Sequence, residues 1–73
     1  MKESELRKIV EDTIQWANEL AEAWVGTTTG RIIDKQKEHV EDLVKSNDLN
    51  LAEVAVTELA QTCVYAEKEL NES

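Results

Sequence analysis

The sequence predicts an all-α fold, with three antiparallel helices over about 4–25, 29–45 and 51–71 forming a small helical bundle. Three observations carry that prediction. Apolar residues advance by threes and fours through Leu6, Val10, Thr13, Ala17, Leu20 and Trp24. They do so again through Ala52, Val56, Leu59, Cys63, Ala66 and Leu70, with a shorter stripe at Ile33, Gln36, Val40 and Leu43. Such steps return to one side of a 3.6-residue helix, so each helix has an apolar face to bury. No proline interrupts the stripes, and two short polar breaks separate them.

Taken in order, the first helix starts beside Ser4, whose hydroxyl can accept from the unpaired N–H groups of a first turn. Glu3 and Glu5 suit the positive end of that helix. Its outer face carries Lys8, Glu11, Asp12, Gln15, Glu19 and Glu22. Ile9, Ile14, Ala21 and Val25 widen the inward arc enough to meet two neighbours. The stretch Gly26-Thr27-Thr28-Thr29-Gly30 then breaks the pattern. Gly26 can take the left-handed conformation that ends a helix, and a threonine can cap the next one. A phosphate-binding loop would need a longer spacing between its glycines and a lysine after the second, so this is a turn.

The second helix turns Ile32, Ile33, Val40, Leu43 and Val44 inward, with Gln36 in the middle of that face. A polar residue there either fixes register at some cost in stability or reaches water at a bundle edge. Ser46-Asn47-Asp48 closes the helix. Asn50 with Glu53 reads as a capping box, and Leu49 with Val54 as the hydrophobic staple around it. Alanines at 52, 55, 60 and 66 thin the packing side of the third helix and admit close approach. Short connections make successive helices antiparallel, within a single helical domain covering 1–73.

At 73 residues the core is marginal for a free-standing domain, and one cysteine allows no internal disulfide. Self-association is the remaining stabiliser, so a homodimer is expected. Sixteen acidic against eight basic residues leave a formal charge of −8. Direct nucleic-acid binding is disfavoured, because affinity for phosphates rests on Lys and Arg. An anionic membrane surface is disfavoured for the same reason. The matching partner is a protein with a basic surface, including one that otherwise holds nucleic acid. The same charge also serves simply to keep a small protein dissolved. No apolar run approaches the ~20 residues of a membrane span. Met1-Lys2-Glu3-Ser4-Glu5 lacks the basic-then-apolar layout of a signal peptide, so a cytoplasmic location is expected.

Residues with chemistry to offer are few. Glu19 and Glu22 form an ExxE pair, and Glu38, Glu41 and Asp42 follow the first break. This layout resembles the MazG-like all-α nucleotide pyrophosphohydrolases, whose ExxE and ExxD motifs hold magnesium. The resemblance implies Glu19, Glu22, Glu38 and Glu41 as metal ligands, although Asp42 stands four residues after Glu38 rather than three. From the residues alone, Glu19 and Glu22 belong to the solvated face of the first helix. His39 and Cys63 border or occupy apolar stripes and could meet as base and nucleophile. No orienting group or oxyanion donor accompanies them, and a small buried core residue accounts for Cys63. Trp24-Val25-Gly26 at the first turn, with Tyr65-Ala66-Glu67-Lys68-Glu69 near the other end, resembles the WXG-type secreted helical hairpins. Those are small acidic proteins that often dimerise. The resemblance implies a turn shaped by Trp24 and Gly26, and an export signal carried by Tyr65 and Glu69.

The residues themselves favour a non-enzymatic, acidic interaction module that needs no cofactor. Its sharpest form is an inhibitor or adaptor docking on a basic surface of a larger protein, as phage-type host-inhibiting proteins do. The expected partner face lies on the third helix. Val54, Gln61 and Tyr65 stand opposite its core stripe, interleaved with Glu58 and Glu69. Trp16, at the edge of the first stripe, adds an aromatic anchor.

Overall fold

All three stripes are helices in a computed structural model that describes residues 2–72: α1 spans Glu3–Ala23, α2 Thr28–Lys45 and α3 Leu49–Glu72. Met1 and Ser73, the two ends of the expected domain, lie outside the described residues. No strand occurs among the described residues. The molecule measures 38 × 18 × 15 Å. At about 1.5 Å per residue, α3 alone is about 36 Å long. The long dimension is therefore one helix, and every helix packs against both others.

Side-chain hydrogen bonds show how the helices run. Arg7 on α1 donates to the Asn47 Oδ1 at 3.4 Å, and Lys37 on α2 donates to the Asn18 Oδ1 at 2.8 Å. The start of α1 thus meets the end of α2, and the two are antiparallel. The Trp24 indole Nε1 donates to the Ala66 carbonyl at 3.2 Å, joining the far ends of α1 and α3. Those two helices run parallel, giving the up-down-up order.

Between them lies the core that the stripes anticipate. Ala17, Ile33, Val40, Leu59, Cys63 and Ala66 are completely buried, and Leu6, Leu20 and Val56 nearly so. Ala52 and Ala55 are buried too, so alanine does admit close approach along α3. The arc of α1 is narrower than its composition suggests. Ile14 and Ala21 pack against the core, whereas Ile9 is 40% exposed and Val25 is 79% exposed. Val25 lies beyond the last turn of α1, in the loop, where helical spacing no longer decides which way it faces. Ile32 and Leu70 are likewise 45% and 41% exposed rather than inward. A three-helix bundle has room for a narrow seam per helix, and residues at the flank of a stripe are left at its edge.

Helix ends account for the other departures. Lys2, not Ser4, is the cap of α1, and it makes no side-chain capping bond. At the first turn Gly26 has φ +80°, as a left-handed terminator should. Thr27 caps α2, accepting from the Gly30 N–H at 3.1 Å, while its own hydroxyl donates to the Trp24 carbonyl. Gly30 sits so close to that carbonyl that a Cβ would collide with it. The second turn is a Schellman motif. Asn47 (φ 58°) donates to the Val44 carbonyl at 3.0 Å and Asp48 to the Leu43 carbonyl at 2.9 Å. Asp48 then starts α3 directly, its carboxylate accepting from the Leu51 N–H at 3.5 Å. The expected cap at Asn50 is thereby displaced by two residues. Leu49 packs on the core from inside the helix, while Val54 is 57% exposed and forms no staple.

Candidate functional site

The outer shoulders of the antiparallel helices α2 and α3 leave an open groove of about 430 Å³. Thr29, Ile32 and Gln36 line it from α2, and Glu58, Gln61, Thr62 and Tyr65 from α3. Each set follows the three-or-four step of one helix ridge, so two ridges face each other across the groove. Three of the anticipated partner-binding residues, Glu58, Gln61 and Tyr65, therefore share one concave surface. Val54, a turn before Glu58, and Glu69, a turn after Tyr65, extend the same ridge beyond the groove. Trp16 stands on α1, half-buried against the core, and does not line the groove.

The polar groups of the groove are unevenly paired. Gln36 has its Oε1 buried, with no hydrogen-bond partner among the described residues. The Thr62 hydroxyl donates to the Glu58 carbonyl at 3.2 Å, which leaves its oxygen free only to accept. Tyr65 is 61% exposed. A hydrogen bond to the Glu69 carboxylate, and that group's charge, raise the phenol pKa above its ordinary range. Beside it stand the Glu58 carboxylate, the amides of Gln36 and Gln61, which carry donors as well as acceptors, and the Thr62 hydroxyl oxygen. Ile32 and the tyrosine ring provide exposed apolar area beside them.

Gln36 was legible in the sequence as a polar residue on an apolar face. Thr29 and Ile32 were not, because helical spacing alone assigns Ile32 to the core.

Other candidate chemistry is dispersed. Glu19, Glu22, Glu38, Glu41 and Asp42 are all exposed. Among the described residues no three His, Cys, Asp or Glu side chains converge as a metal site would require. Cys63 is completely buried, and burial, then the nearby Glu67, push its thiol pKa from 9.0 to about 11. A protonated, enclosed thiol is a poor nucleophile, and His39 lies exposed at the surface. Among the described residues no helix is long and apolar enough to cross a membrane.

No protein family model, curated protein or solved structure matches this chain. The break at Ser46–Asp48 gives three helices, where the WXG-type resemblance implies a two-helix hairpin.

Proposed function

We propose that this protein is a non-enzymatic, acidic helical interaction module that docks on the basic surface of a larger protein through the α2–α3 groove. It acts as an inhibitor or adaptor in the cytoplasm, in the manner of phage-type host-inhibiting proteins, with no bound cofactor. One observation chiefly supports the reading. On a chain of charge −8, the groove places apolar Ile32 and Tyr65 in solvent beside a polar, carboxylate-bearing wall. Apolar area supplies affinity, while the charge selects partners of opposite sign and speeds their encounter. A homodimer belongs to the same reading. Ile9, Val25, Leu51, Val54, Val64 and Leu70, all exposed outside the groove, are the apolar side chains available for it.

The test begins with affinity capture on the immobilised full chain and mass spectrometry of what is retained. The purified pair is then titrated across salt concentrations. Binding should weaken steadily as salt rises, and Glu58→Lys should weaken it at low salt. Affinity that ignores both changes would remove the electrostatic basis of the proposal.

A further inference from the structure

We infer that a second copy of this chain docks along the outer ridge of α3, with the two α3 helices antiparallel about a two-fold axis. The inference rests on the homodimer proposed above and names its face and its register. It starts from the pattern of the ridge. Val54, Thr57, Gln61, Val64, Lys68 and Asn71 advance by threes and fours on the side of α3 away from the core, and all six are exposed. Steps of this kind form the seam of a two-helix coiled coil. Thr57 turns its hydroxyl back to the Glu53 carbonyl at 2.9 Å, so its polar group is satisfied within the helix.

Charge then selects the occupant. The chain has 16 acidic residues, yet this ridge holds no carboxylate. The solvent faces of α1 and α2, by contrast, carry Glu11, Glu22, Glu38 and Asp42. Two copies of charge −8 repel each other, and they do so least where each presents a neutral strip. A basic partner finds no counter-charge on that strip, whereas a second acidic copy meets no penalty there.

The residues beside the seam fix direction and register. In a parallel pair Lys68 would face its own equivalent, and Glu53 would lie against the partner's Glu58. Antiparallel helices with Thr57 opposite the partner's Gln61 would set the two Glu58 side chains together, and Glu53 against the partner's Glu67. Like charges so placed are repulsive. Sliding by seven residues removes every such conflict. Gln61 then lies opposite the partner's Val64, Thr57 opposite the partner's Lys68 and Val54 opposite the partner's Asn71. Glu58 flanks the partner's Tyr65 and comes beside the partner's Lys68. Lys68 is the sole basic residue of α3, exposed and held by no ion pair among the described residues. The two-fold axis gives each Lys68 a carboxylate, twice per dimer. Glu58 and Tyr65 also line the α2–α3 groove, so a second copy and a basic partner compete for them.

The experiment is sedimentation equilibrium of the full chain from about 10 μM to about 1 mM, with circular dichroism to verify that each variant is folded. A reversible monomer–dimer equilibrium is expected. Val64→Glu should weaken it by about tenfold or more, whereas Ile9→Glu on α1 should leave it unchanged. Lys68→Glu and Glu58→Lys should each weaken it, and the two combined in one chain should restore it, because the axis pairs each residue with the other. A chain that stays monomeric throughout would overturn the inference and leave groove docking standing on its own salt titration. A dimer dissociated by Ile9→Glu but not by Val64→Glu would place the interface elsewhere and overturn it. A double variant as weak as the single ones would refute the register and with it the proposal.

Discussion

Gly30→Ala should destabilise the protein, although the residue is helical. Alanine is ordinarily the better helix former by about 1 kcal/mol, and less so within the first turn. Here a Cβ would collide with the Trp24 carbonyl, a backbone group that cannot swing aside as a side-chain tip would. That carbonyl is held by the Thr27 N–H at 3.1 Å and by the Thr27 hydroxyl, and Thr27 in turn caps α2. Forcing the two segments apart disturbs the whole turn. Overpacking of this kind costs about 1–3 kcal/mol, and the backbone nature of the contact points to the upper part of that range. After the helix-propensity gain, a net loss of roughly 1–2 kcal/mol is expected, which lowers Tm by about 5–15 °C in a domain of this size. Thermal melting followed by helical circular dichroism measures it. Thr28→Ala, two residues earlier and exposed, serves as the comparison. If Gly30→Ala melts at or above the unmodified protein, the reasoning about this close approach is wrong.

Three further outcomes can be checked with the same purified chain. Asp48→Ala should cost about 1 kcal/mol by removing the cap of α3, whereas Asn50→Ala should stay within about 0.5 kcal/mol; urea melts of the pair decide which residue caps. The Cys63 pKa is raised on folding, so its share of stability is complete below about pH 9 and declines as pH climbs towards 11. Melts at about pH 8 and about pH 10 should therefore show a larger alkaline loss in the unmodified chain than in Cys63→Ala. Gln36→Leu should raise stability by about 1 kcal/mol or more, because it removes an unpaired buried acceptor; a lower Tm would show that Gln36 is satisfied in solution.

Number, type and order of the helices were determined by the sequence alone, since a stripe of threes and fours can be buried only by a helix. The complete burial of Ile33, Val40, Leu59 and Cys63 follows from the same pattern. So does the ridge bearing Glu58, Gln61 and Tyr65, because their positions on α3 are set by local geometry. Tertiary structure decided what pattern cannot encode. Whether Ile32 is core or groove depends on where α3 lies beside α2, and spacing along one helix carries no information about its neighbour. The cap moved from Asn50 to Asp48 because the Schellman turn delivers Asp48 directly to the next helix, which local capping preference does not see. Gly30 and Trp24 are six positions apart in sequence, yet only the folded turn brings their backbones together. The groove has the same origin. It exists in neither helix alone, and it arises from the packing of two ridges that the chain writes separately.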